Sequence, residues 1–541
     1  MATQSPNNSA NGDRKRNRIT SCRCVVFLLL CSGLFFSASV SADIKLPAIF
    51  SSGMVVQRDS EITVFGWADN GEKVTVSFNG RHVSAVSGTD GKWRAALGTF
   101  HAGGPYTMTI QGKNTCILEN ILIGDVWLCS GQSNMEMKVS HCNNAAEEIA
   151  AAYHPELRLF SIRNRISAEP LADCDGEWRI SRSSTVGEFS ATAYYFGRTI
   201  TAELNVPVGL IHASWGGSAI DTWISKPAFE SNPELQPLLD YWKQVVDGYA
   251  PAVVEYYNSM GEWIEDLYHA MYVHKSLENY VTAPNCPVAL GPFPTMPSWT
   301  YNAMVAPLTE FPIKGILWYQ GESNAARAYQ YRTLLPALIA DWRLMWDIDD
   351  LPFIYAQIAN WETDTIPITG GWGSWPELRE AQLKTLSVPN TGMAVTIDIG
   401  ESNDIHPRNK QEVGRRLALS AMKVAYDMDI IYSGPVYESM SVIEGRAHIT
   451  FSHTDKGLKT NDRKPPQGFA IAGADRQFKE AKAEISGDTV VVWNEYVRQP
   501  VAVRYGWDDN PVCTLINGAD LPASPFRTDT WPGITEGILT P

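Results

Sequence analysis

The chain has 541 residues, 44% hydrophobic and 19% charged, which describes a folded protein and not a disordered one. At roughly 150 residues per domain it predicts about three or four domains. A formal net charge of −15 argues against nucleic-acid binding as the main task, because phosphate backbones are bound by basic surfaces.

The amino terminus reads as a leader. Arg14-Lys-Arg-Asn-Arg18 is basic, Val25 to Phe36 is apolar, and Ser37 to Ala42 is a run of mostly small residues that places Val40 and Ala42 for cleavage before Asp43. The apolar run is short for a membrane span. Residues 1–42 are therefore expected to be a signal peptide, and the mature protein to be secreted or periplasmic with no stable membrane span. Losing this net +4 segment takes the charge from −15 to −19. The remaining cysteines, Cys116, Cys129, Cys142, Cys174, Cys286 and Cys513, lack paired C-x-x-C spacing, so zinc is not expected. Export permits disulfides, but the sequence cannot choose among their pairings. Cys129, inside an apolar run, reads as a buried thiol.

Residues 43–120 predict an N-terminal β domain. Glu61–Trp67, Lys73–Phe78, Trp93–Leu97 and Tyr106–Ile110 read as strands, with turns at Asn79-Gly80, Asp90-Gly91 and Gly103-Gly-Pro105. Such spacing suggests a small sandwich with a packing or sugar-binding accessory role.

Ile121 to Cys129 is then a buried strand, ending in the turn Ser130-Gly-Gln-Ser-Asn134. Ligands of open α/β sheets bind at the carboxyl edge of the strands, where Ser133 can present a hydroxyl; the plainer reading is a helix cap. Ala145–Ala152 predicts a helix, Leu157–Ile162 a strand, Phe189–Leu204 a helix and Val206–Ala213 a strand, which exits through Ser214-Trp-Gly-Gly-Ser218. Residues 225–300 read as an insertion with helical patches such as Leu235 to Val246. Ile313–Tyr319 is a further strand, followed by Gln320-Gly-Glu-Ser-Asn324, where Asn324 can donate its amide to an oxyanion or simply cap a helix. A helix over Tyr329–Trp346, a strand over Leu351–Gln357 and a helix beginning at Leu378 precede the strand Met393–Asp398. Its exit loop holds Asp404-Ile-His406, the residue types of a general base and its orienting carboxylate. A helix from Asn409 to about Ala425 closes the series.

Strands alternating with helices over 121–434 imply a mostly parallel sheet covered on both faces. Residues 435–541 revert to β structure.

Four loops thus converge in type: Ser133, Gly216-Gly217, Gly321-x-x-Asn324 and Asp404-x-His406. On Gly124-Asp-Val-Trp-Leu-Cys-Ser-Gly-Gln-Ser-Asn-Met135, Ser214-Trp-Gly-Gly-Ser218, Tyr301-Asn-Ala-Met-Val-Ala-Pro-Leu308, Gly315-Ile-Leu-Trp-Tyr-Gln-Gly-Glu-Ser-Asn-Ala325 and Asp404-Ile-His-Pro-Arg-Asn-Lys410, the chain resembles the SGNH hydrolases, and within them the sialate O-acetylesterase family of carbohydrate esterases. The resemblance covers most of the chain after the leader. It implies an α/β fold: a flavodoxin-like three-layer α/β/α hydrolase domain with flanking β-sandwich-type domains, and ester hydrolysis without a cofactor or metal.

The same resemblance implies Ser133 as nucleophile and His406 as base. It implies an oxyanion hole from the Ser133 NH, a Gly216 NH and the Asn324 side chain. Gly217 is the alternative glycine, and Gln132, Gly217 and Glu322 are candidate substrate contacts. The superfamily's aspartate usually stands three residues before the histidine, but position 403 is asparagine, so Asp404 is the expected orienter and a backbone carbonyl the alternative. An O-acetylated sugar or glycan is the expected substrate. Acetylated xylan or pectin is the alternative to a sialoside, for whose carboxylate Arg379 and Arg408 are candidates, although both fit structural ion pairs better. A non-catalytic carbohydrate-binding protein on the same fold is the rival of another class.

Overall fold

The computed structural model describes residues 43–273, 283–286, 294–361 and 373–541. The expected leader and parts of the expected insertion, 274–282 and 287–293, lie outside the described residues.

The described chain begins with the strands β1 (Val55–Gln57), β2 (Thr63–Trp67), β3 (Lys73–Phe78), β4 (Arg81–Val86), β5 (Lys92–Ala96), β6 (Gly103–Gln111) and β7 (Thr115–Gly131). The strand expected from Ile121 starts at Thr115. Its first part pairs antiparallel with β6, up to Ile123. There Leu118 is buried between exposed neighbours, the alternation of a half-covered sheet. From Ile121 to Gly131 every residue is buried, as befits a strand covered on both faces. One strand therefore belongs both to the amino-terminal β layers and to the central sheet.

The central sheet adds β8 (Tyr153–Ile162), β9 (Gly176–Arg182), β10 (Val208–Ser214), β11 (Gly315–Tyr319), β12 (Phe353–Ala356) and β13 (Thr391–Ala394), in the spatial order β13-β12-β11-β7-β10-β8-β9. All neighbours are parallel except β8 and β9, which form an antiparallel pair. Without that edge hairpin, the order β10-β7-β11-β12-β13 is 2-1-3-4-5 in chain order, the flavodoxin-like arrangement, whose ligand crevice lies where the connections diverge around the first strand.

Helices cover both faces: α1 (Ser133–Glu136), α2 (Ala145–Ala151), α3 (Ala191–Leu204), α4 (Lys226–Ser231), α5 (Gln236–Tyr272), α6 (Tyr331–Trp346), α7 (Ser374–Lys384) and α8 (Lys410–Val424). The pleat of β7 sends Trp127 and Cys129 to the α3/α8 side and Val126 and Leu128 to the α6/α7 side. Fully buried Leu128, Leu317 and Ile354 each contribute about 1.5–3 kcal/mol. Cys129 is the buried thiol expected there, and burial raises it well above its usual range. The six cysteines among the described residues are all unbridged.

The helical patches expected after residue 235 are one helix, α5, which carries Pro251 and buries only Leu238, Trp242 and Ala270. Beyond residue 435, two four-stranded antiparallel sheets share a core that includes Ile449, Phe469, Tyr505 and Phe526. This region is fastened to the central-sheet layer by Arg379, whose guanidinium donates to the carbonyls of Ile358, Ala359, Asp508 and Asp509.

Candidate active site

The carboxyl ends of β7, β10 and β11 lie side by side, with Gly131 paired to Ser214 on one flank and Tyr319 on the other. Gly131 has φ +141°, and a Cβ there would collide with the Tyr319 carbonyl oxygen. Glycine is therefore required for the chain to turn sharply out of a strand that is still hydrogen-bonded. Gln132 donates its NH to that same Tyr319 carbonyl at 3.0 Å, and Ser133 opens α1, where helical N–H groups lack intrahelical acceptors.

Ser133, Asp404 and His406 line one open cleft of about 590 Å³, together with Glu136, Lys138, Ser140, His141 and Arg408. The serine and histidine expected to cooperate thus line the same cleft, although far apart in sequence. Partial burial lowers the His406 imidazole below its ordinary value, opposed by the Asp404 carboxylate and reinforced by Lys410. Asp404 accepts the His406 backbone NH at 2.9 Å. Its carboxylate oxygen stands 3.6 Å from His406 Nδ1, an electrostatic contact rather than a hydrogen bond.

Asn324 lies in the short helix Glu322–Arg327 after β11 and is fully buried. Its Oδ1 accepts from the Ile220 NH at 2.9 Å and from Gln320 Nε2 at 2.6 Å, which fixes the amide's orientation. Its Nδ2 is buried without a protein acceptor. Leaving such a donor unpaired costs about 1–3 kcal/mol. It is the group an oxyanion hole needs.

Gly216 faces Ser133: a Cβ added to it would lie 3.5 Å from Ser133 Cβ. Its NH, however, already donates to Glu136 Oε2 at 2.6 Å, and Asn164 Nδ2 holds the other Glu136 oxygen at 3.1 Å. Gly217 has φ +75° and open space around it. The loop carrying both glycines is tied to the β11 exit by the buried Arg327–Asp221 pair and by Gln320 Nε2 on the Ser218 carbonyl at 3.2 Å.

Of the candidate substrate contacts, Gln132 is 3% exposed and uses its Oε1 to accept from the NH groups of Gly321 (3.4 Å) and Ser323 (3.2 Å). Glu322 accepts from Asn134 Nδ2 at 2.6 Å, and burial raises its carboxyl above the usual range. Both side chains are engaged within the fold. Arg379 is fully buried and structural, but its hydrogen-bond partners are main-chain carbonyls rather than the expected ion pair. Arg408 lines the cleft with its side chain 59% exposed, and among the described residues its guanidinium is engaged by a 4.0 Å approach to Asp404.

Sequence reasoning did not single out Glu136, Asn134 or Lys410. All three lie in or beside the first and last of the quoted motifs, so the signal was there without a role attached. Among the described residues, no group of three or more His, Cys, Asp or Glu side chains is arranged to hold a metal.

A family model described as carbohydrate esterase, sialic acid-specific acetylesterase, matches residues 123–248 and 294–423. A carbohydrate acetylesterase from Xanthomonas citri is 36% identical, covers 90% of this chain and all of its own, and superposes with a TM-score of 0.77. The sialate O-acetylesterases of Rattus norvegicus and Homo sapiens are 29% and 28% identical, each over 94% of this chain and 98% of their own length.

Proposed function

The chain belongs to the sialic acid-specific acetylesterase family of carbohydrate esterases, and from that premise we propose that it removes O-acetyl groups from sugars through an acyl-enzyme on Ser133. It is a carboxylic-ester hydrolase. The observation that carries the mechanism is the buried, unpartnered Nδ2 of Asn324, on a loop whose Gly321 and Ser323 NH groups donate to Gln132, the residue before Ser133, while Ser133 and His406 line one cleft.

In this mechanism neutral His406 accepts the Ser133 hydroxyl proton as Oγ attacks the acetyl carbonyl carbon. The carbonyl oxygen becomes an oxyanion that takes hydrogen bonds from Asn324 Nδ2, the Ser133 NH and the Gly216 NH. For Gly216 to serve, Glu136 must give up its bond to that NH. The tetrahedral intermediate collapses, the C–O bond to the sugar breaks, and His406 returns the proton to the departing sugar oxygen. Water, deprotonated by His406, then attacks the acetyl-Ser133 carbonyl; the C–Oγ bond breaks, His406 returns the proton to Ser133 Oγ, and the acetic acid leaves and ionises to acetate. Asp404 acts on His406 through charge and through the backbone NH it accepts.

The exposed guanidinium of Arg408 in the cleft, approached by Asp404 only at 4.0 Å, supports an acidic acetylated sugar over a neutral one. Arg408 is the residue for the carboxylate, since arginine's fork pairs with it bidentately. Acetate release from O-acetylated sialosides, measured beside acetylated xylan and pectin, tests this. Preference for the sialosides, lost in Arg408→Ala, supports it; equal rates on the neutral polysaccharides refute it. A non-catalytic sugar-binding role is excluded by acetate release that Ser133→Ala abolishes. Export through residues 1–42 completes the reading, and sizing the amino terminus of the mature protein checks it. Among the described residues no helix is long and apolar enough to cross a membrane.

A further inference from the structure

We propose that Asn134 and Lys410 form a buried clamp that positions His406 against Ser133. This rests on Ser133 and His406 being nucleophile and base. Asn134 directly follows Ser133 and is 2% exposed; Lys410 is the first residue of α8 and fully buried. Asn134 Nδ2 donates to the Ile405 carbonyl at 3.0 Å, and Asn134 Oδ1 accepts from Lys410 Nζ at 2.6 Å. The same Nζ donates to the Pro407 carbonyl at 2.8 Å. The two peptide carbonyls that bracket His406 in sequence are therefore both bound by this pair, one by each member.

The other side of the clamp is equally fixed. Asn134 Nδ2 also reaches Glu322 Oε1 at 2.6 Å, and the ammonium of Lys410 lies 5.3 Å from the ring centre of Tyr319, the last residue of β11. The nucleophile turn, the β11 exit and the histidine loop thus converge on one amide and one ammonium. A fully buried ammonium is costly, and its desolvation brings Lys410 down to about 8. An apolar residue would fill the same volume without that cost. What the ammonium adds is directional: its donors can hold an amide oxygen on the serine side and a carbonyl on the histidine side at once. Asn134 and Lys410 touch no reacting atom; they are positioning residues. A misplacement of about 1 Å between reacting groups costs on the order of 10²-fold in rate.

The test is a double-mutant cycle on the full-length protein with an aryl acetate as substrate. Lys410→Met should lower kcat about 10²-fold, with KM within about twofold and the chain still folded by circular dichroism. In a His406→Ala background the same change should alter the residual kcat/KM by less than about threefold, because a clamp has nothing to position once the imidazole is gone. Lys410→Gln, which keeps an N–H donor, carries the cycle if the methionine variant does not fold. Wild-type kcat in Lys410→Met, or an undiminished loss in the His406→Ala background, overturns the clamp alone. Full activity in His406→Ala itself overturns the assignment of the base and the clamp with it.

Discussion

Asn324→Ala separates catalysis from folding most sharply. The substitution removes two things: the unpartnered Nδ2, and the Oδ1 that accepts from Ile220 NH and Gln320 Nε2. The second loss strands two buried donors, at about 1–3 kcal/mol each, partly offset because the orphaned Nδ2 disappears as well. A net destabilisation of about 2 kcal/mol follows, visible as a lower midpoint in urea. The loss of one oxyanion donor costs about 10²–10³ in kcat, or about 2.7–4 kcal/mol of transition-state stabilisation. Assayed by acetate release well below the unfolding transition, the variant should be fully folded yet retain 1% or less of wild-type kcat, a threshold set by that ~10²-fold loss. Asn324→Asp keeps an acceptor for Ile220 and Gln320 but turns an oxygen to the oxyanion, so its kcat should fall at least as far. Near-wild-type kcat in either folded variant removes Asn324 from the oxyanion hole.

Four further outcomes are expected. Because the folded environment lowers His406 and the mechanism needs it neutral, the acid limb of kcat/KM should fall below pH 6.5, with activity lost only as pH drops through the depressed value. Asp404→Asn removes the charge that raises that value, so the limb should move further down and kcat should drop; an unchanged profile would assign the orientation of His406 to the backbone. Glu136→Ala frees the Gly216 NH, and kcat/KM should hold or rise; a loss of tenfold or more would make the Glu136–Gly216 bond part of the working site and exclude Gly216 as an oxyanion donor. Gly131→Ala forces a side chain onto a φ of +141° and into the Tyr319 carbonyl, so stability should drop by about 1–3 kcal/mol or more, checked by thermal unfolding; an unchanged Tm would contradict the tight turn.

The residues that carry the fold's central sheet were legible because β7, β10, β11 and β12 are covered on both faces and read as short apolar runs bounded by turn residues. The antiparallel strand β9 was not, since its hydrophobic positions, Trp178 and Ile180, are too few to stand out among charged neighbours. The full length of α5 was obscured by Pro251 and by the small number of positions it buries. Of the candidate site, Ser133, Asn324 and His406 stand out in the sequence by their loops and motifs. Their supporting contacts do not: the Asn134–Lys410 bond joins residues 276 apart, and a lysine buried by tertiary packing looks in sequence like any helix-starting lysine. The Glu136–Gly216 bond depends likewise on the spacing of two strand-end loops.

Mapping the covalent intermediate tests the mechanism most directly. The full-length protein is treated with an aryl acetate, quenched in acid within the first turnover, digested and analysed by mass spectrometry. A single acetyl group on the peptide carrying Ser133, absent in Ser133→Ala, is the predicted result. Turnover with acetyl found on another residue, or undiminished turnover in Ser133→Ala, would contradict it.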